Sequence, residues 1–287
     1  FKEQGIAIDL VQLDSVPSVV TALASGQIDV AGGAPSAAIY NSVRQGIGIR
    51  IVADKGSMRK GGGYICLVVR KGLEGQIRSV ADLKGRKVAW SGIGIGTTNE
   101  PTLDHLLKQG NLKDSDLVLQ NLTFGDSFAA LASGSVDAAY LIEPLVQSAE
   151  QKGIGKLFMT GDQMYLDQQV AVLLYGATFA TTRADVARRF MVAYLRGVRD
   201  YNDAFVKNKG RDAIVTILTS NTTVKNAALY DKMVMPGLDP DGGVNVAGMT
   251  EDMNWFLAKG YLKQPVDVAK AIDSVFAEGA VRQLGKY

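Results

Sequence analysis

Two hydrophobic rhythms divide the chain. Up to Tyr175, apolar runs of strand length alternate with amphipathic stretches of helix length; beyond it only the helical rhythm continues. Strands are expected at 6–13, 28–31, 49–53, 64–70, 87–90, 117–119, 157–159 and 170–175, and helices at 16–25, 36–45, 97–108, 127–133 and 144–152. Such alternation predicts parallel α/β sheets. Residues 55–63, with three consecutive glycines, read as a flexible loop. In the tail, Val186, Phe190, Ala193, Tyr194, Gly197, Tyr201 and Phe205 recur at helical steps and predict the buried face of one long helix. Further helices are expected at 211–218, 224–233, 249–260 and 271–284, packed on the lobe that opens the chain.

One element occurs twice. Ala22-Leu23-Ala24-Ser25-Gly26 runs into Gln27-Ile28-Asp29-Val30, and Ala130-Leu131-Ala132-Ser133-Gly134 runs into Ser135-Val136-Asp137-Ala138. Each copy reads as a helix end, a glycine able to take the left-handed conformation, and a short strand. Asp29 and Asp137 are expected to hold local structure. Two equivalent units far apart in sequence predict two similar lobes.

Composition narrows the function. The chain has 287 residues, enough for two domains, with 47% hydrophobic and 21% charged residues as in a soluble globular protein. A net charge of +2 implies no nucleic-acid partner. Cys66 is the single cysteine, so no intrachain disulfide forms, and its apolar surroundings predict a buried thiol. No apolar run is long enough to cross a bilayer. Residues 1–5 read as the last turn of a helix, so a preceding strand, most of a helix and an export signal are expected upstream of Phe1.

The candidate chemistry is that of ligand-cradling loops. Gly92-x-Gly94-x-Gly96 follows a strand and opens a helix, but lacks the third small residue of a dinucleotide fingerprint. It is expected to offer exposed N–H groups, with the hydroxyls of Ser91, Thr97 and Thr98, to a carboxylate or sulfonate. Loops 32–36 and 124–127 occupy the same strand-to-helix position. Gly125-Asp126-Ser127 imitates a nucleophile elbow, but His105, the only histidine, lies upstream in a helix, so Asp126 or Ser127 is expected as a helix cap. One His and one Cys cannot build a zinc site. No cofactor or metal is expected, and the chain is expected to bind rather than catalyse. Tyr40, Tyr64, Trp90 and Tyr140 are the few aromatics near the candidate loops, and the core can claim all four.

The chain resembles ABC-transporter substrate-binding proteins of the nitrate/sulfonate/taurine type, with the type II periplasmic binding fold. The resemblance rests on Phe1-Lys2-Glu3-Gln4-Gly5-Ile6, both repeats, Val80-Ala81-Asp82-Leu83-Lys84-Gly85-Arg86-Lys87-Val88-Ala89, Glu143-Pro144 and Tyr194-Leu195-Arg196-Gly197-Val198-Arg199-Asp200-Tyr201. It implies two Rossmann-like lobes joined by two crossover strands: lobe I at 1–69 and 176–287, lacking its first strand, and lobe II at 70–175. It also implies a small-molecule ligand held between lobes by hinge closure, against Asp14, Ser15, Gly33, Ala34, Pro35, Ser36, Arg59, Gly63, Ser91, Gly94, Gly96, Thr97, Thr98 and Glu143, with Asp126 added from loop 124–127. Sulfonate binders of this type often carry an aromatic residue where Glu143 stands. The implied partner is a membrane ABC permease, the implied state a monomer, and the implied location the periplasm or, by lipid anchor, the outer cell surface. Two other classes stay open: an enzyme on the same fold, of the pyrimidine-precursor synthase or dehydratase type, and a ligand-sensing domain not coupled to transport.

Overall fold

The computed structural model describes residues 1–13 and 15–287. Its strands are β1 (Val30–Gly33), β2 (Arg50–Ser57), β3 (Ile65–Arg70), β4 (Lys87–Trp90), β5 (Val118–Asn121), β6 (Ala138–Ile142), β7 (Gly155–Met159) and β8 (Gln169–Tyr175). The helices that position the candidate loops are α1 (Val16–Ala24), α2 (Ala37–Arg44), α3 (Asn99–Gln109), α4 (Phe124–Ser133) and α5 (Leu145–Gln151). One sheet has the order β1-β8-β2 and the other β5-β4-β6-β3-β7.

The sheets are mixed, not parallel as the alternation predicts. β8 runs antiparallel to both β1 and β2, and β3 runs antiparallel to both β6 and β7. Among the strands of the described residues, β4 pairs in parallel with β5 and β6. The reason is the same in both sheets. β1-α2-β2 and β6-α5-β7 are helix-connected pairs of like direction, as the alternation requires. A single strand from a distant part of the chain is inserted between the two members of each pair.

The contacts divide the chain into two units. Unit 1 comprises Phe1–Ser57, Gln169–Ile214 and Leu238–Tyr287; unit 2 comprises Met58–Gln168 and Val215–Gly237. These bounds differ from those expected. Residues 58–69 belong with unit 2 because β3 is an inner strand of its sheet, and 169–175 belong with unit 1 because β8 is the middle strand there. The segment Val215–Gly237 also joins unit 2, so not all of the tail packs on the first lobe.

In unit 1 the sheet is covered on both faces. Ile51, Val172 and Leu174 pack with Leu23, Ile39, Tyr40, Met253 and Phe256 on one side. Val52, Ala53, Leu173 and Tyr175 pack with Phe179, Met191, Leu195 and Phe276 on the other. The helix Ala184–Phe205 presents Ala187, Met191, Leu195, Val198 and Asn202 as its buried row. The predicted aromatic stripe lies beside this row: Phe190, Tyr194 and Tyr201 are half-buried and Gly197 is exposed. Smaller side chains take the tightest contact, and the rings flank it. In unit 2, Cys66, Val68, Ala89, Leu131, Ala139, Leu141 and Val146 form a core on one face of the sheet.

Both repeats fold alike. Gly26 and Gly134 take φ of 73° and 78°. Gly26 N donates to Leu23 O and Gly134 N to Leu131 O, each at 3.2 Å, and Gln27 N to Ala22 O and Ser135 N to Ala130 O, each at 3.0 Å. Asp29 accepts from Arg183 Nη1 at 2.7 Å; Asp137 accepts from Arg70 Nη2 at 3.2 Å and Lys87 N at 3.0 Å. Ion pairs this exposed contribute about 0–1 kcal/mol, against roughly 1.5–3 kcal/mol for each large apolar side chain buried. They orient the turn; the core stabilises it.

Two expected elements are absent. Residues 6–13 have no regular secondary structure and pair with no strand among the described residues, and Leu10 and Val11 are exposed. A strand needs a neighbour for its backbone groups, and a groove of about 580 Å³ separates this segment from β1. The helix expected at 224–233 is reduced to the single 3-10 turn Ala227–Leu229, where Asn226 accepts from Ala228 N and holds the tighter turn.

Candidate functional site

In unit 1 the candidate residues gather at two helix starts. Ser15 caps α1 by accepting from Ser18 N at 3.3 Å, as expected for a Ser before a helix. Asp14 lies outside the described residues. Gly33, Ala34 and Pro35 lead from β1 to Ser36, the N-cap residue of α2. Ser36 has the extended backbone of a cap (φ −107°, ψ 168°), yet its side chain caps nothing. Its Oγ is buried, the residue being 2% exposed, and has no hydrogen-bond partner among the described residues. Leaving a buried hydroxyl unsatisfied costs about 1–3 kcal/mol. The first-turn amides of α2 add partial positive charge beside it.

In unit 2 the glycine loop 91–98 differs from its expectation. Its amides are not exposed to a ligand, because Glu100 takes them. Gly94 N donates to Glu100 Oε2 at 3.0 Å, and Gly96 N and Thr97 N donate to Oε1 at 2.7 and 3.4 Å. Asn121 Oδ1 accepts from Gly92 N and Ile93 N at 3.1 and 3.3 Å. Thr97 Oγ1 donates to Gly92 O, and Asn99 Nδ2 to Ser91 O. The loop has the conformation of an anion cradle, with Gly92, Gly94 and Gly96 all at positive φ, and its own carboxylate lies in it. Thr98, buried, anchors the loop through its carbonyl, which accepts from Gln168 Nε2 at 2.8 Å. Glu100 was missed from the sequence, although Thr97-x-x-Glu100 is the spacing of a capping box, in which the acid reaches back to backbone amides.

The other unit 2 candidates hold structure. Gly63 O accepts from Gly161 N at 3.0 Å and from Cys66 Sγ at 3.2 Å. A Cβ at Gly63 would collide with the backbone of Asp162, so this close approach requires glycine. Asp162 Oδ2 accepts from Gly61 N at 2.8 Å, two residues from Arg59, which is half-buried. Strand β2 runs through Ser57, so the predicted flexible segment is strand at 55–57 and loop at 58–63. Asp126 lies in the first turn of α4, where Thr123 is the cap in place of Asp126 or Ser127: Asp126 N donates to Thr123 Oγ1 at 3.2 Å. Glu143 Oε1 accepts from Val234 N at 3.0 Å and Oε2 from Gln147 N at 3.2 Å. Burial outweighs these bonds and pushes its carboxyl up to about 7.

The core claims three of the four aromatics: Tyr40, Trp90 and Tyr140 are fully buried, and Trp90 stacks on Tyr140 at 3.9 Å. His105 stacks on Tyr165 at 3.6 Å. Burial raises the Cys66 thiol well above its ordinary value, keeping it protonated and weakly nucleophilic. Among the described residues no group of three or more His, Cys, Asp or Glu could hold a metal ion, and no helix is long and apolar enough to cross a membrane.

Known proteins share this architecture. The taurine-binding periplasmic protein of Escherichia coli K12 is 31% identical over 153 residues, covering 53% of this chain and 44% of the relative. The chain thus spans less than half the length of the first curated relatives it matches. The periplasmic aliphatic sulphonate binding protein SsuA of Escherichia coli has the same fold, with a TM-score of 0.66 at 22% identity over 90% of this chain and 79% of that one. So does the desulfurization enzyme DSZB, with a TM-score of 0.62 at 17% identity over 89% of this chain and 85% of that one. Both binding proteins and an enzyme therefore occur on this fold. The sequence matches the family described as NMT1/THI5 like over residues 1–203, and the chain belongs to that family.

Proposed function

We propose that the chain is the solute-binding receptor of an ABC importer. It captures a small polar or anionic organic molecule, of the sulfonate or carboxylate class, and presents it to a membrane permease. It works as a monomer in the periplasm or, lipid-anchored, on the outer cell surface, and does not alter its ligand. The observation that carries this reading is Ser36: a buried hydroxyl without a partner among the described residues, at the head of α2, where a bound oxyanion would accept its hydrogen bond. Kinship with a taurine-binding protein supports the ligand class. The likeness to DSZB favours a second reading, an enzyme acting on an organosulfur compound.

A thermal-shift screen of the chain against taurine, alkanesulfonates, small carboxylates, nitrate and pyrimidines tests both. A ligand at 100 times its Kd stabilises by about 2.7 kcal/mol. A stabilising compound recovered unchanged supports the receptor; one converted to product supports the enzyme. No shift from any of them rejects the proposed ligand class.

A further inference from the structure

The sequence predicts that a loop starts at Lys55, but Lys55 belongs to β2. β1 and β2 are both antiparallel to β8, so they run in the same direction and end at the same edge of the sheet. The register places Gly33 and Asp54 opposite the same residue, Val172. Lys55 therefore stands level with the end of β1, where the chain turns toward Ser36. Its side chain crosses the sheet to lie over Gly32. A Cβ built on Gly32 would meet Lys55 Cδ and Cε inside van der Waals contact, with Nζ at 3.1 Å.

The lysine reaches this place because Gly32 has no side chain. Neighbouring Gly33 points its hydrogen at the other face, where a Cβ would rest in ordinary contact with Leu174 Cδ1 at 3.7 Å. Among the described residues no hydrogen bond or ion pair holds the Lys55 ammonium. The adjacent carboxylate, Asp54, is turned to other partners: it accepts from Gly56 N, Gln169 Nε2 and Asp239 N. Desolvation outweighs the attraction of Asp54 and lowers the lysine below its ordinary value. Lys55 is itself exposed, so its ammonium is open to an anion arriving from solvent.

We propose that Lys55 is the anchor for the anionic group of the ligand, receiving a sulfonate or carboxylate together with the Ser36 hydroxyl and the amides that open α2. Three observations at one sheet edge carry this: an unpaired ammonium laid over Gly32, the unpartnered Ser36 Oγ, and the positive end of α2. The inference rests on the receptor reading and narrows its ligand to one carrying an oxyanion. It also names a specificity device, since a ligand of the same shape without the charge lacks the contact that lysine makes.

Isothermal titration of the chain with ethanesulfonate, and with the neutral ethyl methyl sulfone, tests it. Wild-type protein binds the sulfonate at least about tenfold more tightly than the sulfone, the scale of a hydrogen bond to a charged group. Lys55→Met removes that preference by lowering sulfonate affinity; Lys55→Arg retains it. Gly32→Ala keeps the lysine but displaces its flexible end, and reduces the preference in the same way. This second route keeps the test readable if Lys55→Met fails to fold, with circular dichroism as the check. Unaltered sulfonate affinity in either the Met or the Ala variant overturns the anchor. A wild-type protein that binds the sulfone or another screened compound, but not the sulfonate, overturns the anchor and leaves the receptor standing. A protein that binds nothing in either experiment overturns both.

Discussion

The two units each carry a strand-to-helix loop of the kind that holds small ligands at the carboxyl ends of strands, and the two loops are finished differently. In unit 1, the Ser36 hydroxyl has no partner among the described residues, and the loop follows Gly32, over which the Lys55 side chain lies. In unit 2, residues 91–98 are closed on themselves, with Glu100 and Asn121 accepting from five loop amides. Glycine content alone pointed to the second loop. The structure shows that glycines supply only the shape of an anion cradle, while its availability depends on whether a neighbouring side chain already fills it. That criterion is why the proposed anion site lies at the loop less conspicuous in sequence.

The contrast can be broken most strongly at the glycines. Gly92 has φ of 84°, and a Cβ there would lie 2.5 Å from Thr97 Oγ1. Gly92→Ala is therefore expected to cost about 2–3 kcal/mol through backbone strain and the lost Thr97 bond. Gly33→Ala, with room for its Cβ, should change stability by under about 1 kcal/mol. Urea denaturation of the pair measures the difference; equal losses would show that the unit 2 loop is no more constrained than the unit 1 loop.

Asn121→Ala comes next. It removes the acceptor for Gly92 N and Ile93 N and the donor to Ile93 O, all near solvent. Water replaces part of this, so the expected loss is about 1 kcal/mol, with faster amide exchange at Gly92 and Ile93 as its local signature. Exchange rates like those of the wild type would mean that Asn121 does not hold the loop.

The acids of unit 2 that bind backbone amides also sharpen the contrast through pH. Glu143 is raised from an ordinary 4.5 to about 7, mainly by burial. Between those values the folded protein holds a proton that the unfolded chain has released. The contribution of Glu143 is thus fully present below its unfolded value and is lost as pH rises through about 7. Glu143→Gln should flatten this part of the stability–pH curve, and parallel Tm profiles from pH 4.5 to 8 for the two proteins would contradict the shift.

The smallest effect on stability is expected at Ser36. Ser36→Ala breaks no hydrogen bond, so unfolding free energy should move by less than about 0.5 kcal/mol or rise slightly. Affinity for ethanesulfonate should still fall. A clear loss of stability with unchanged affinity would make Ser36 a structural residue and remove the contrast between the loops.

Much of this was legible in advance. The twofold helix-end motif and its left-handed glycines fold as read, and so do the structural roles of Asp29 and Asp137. The β-α-β pairing that follows each copy was also visible, because these features are made by bonds within a few residues. The Thr97-x-x-Glu100 spacing belonged to the same local class and was legible too, although the glycines drew the reading toward an empty cradle. The aromatic stripe on the long helix lies beside the true buried row because closeness of packing, and not hydrophobic size, sets which side chains make the tightest contact.

The sequence by itself therefore determined how helices start and stop, where strands form beside them, and which two segments are equivalent. Tertiary structure alone decided that β8 and β3 enter the two β-α-β pairs, since strand direction depends on a partner far along the chain. It alone brought Val234 to Glu143 and laid Lys55 across the sheet onto Gly32. Register shifts in β2 on either side of Asp54 hide that last contact from any count of alternating positions. A cap hydrogen bond is specified by residues within one turn of each other, whereas a side chain reaching over a middle strand to the next is specified only once pairing, register and the absence of a Cβ coincide.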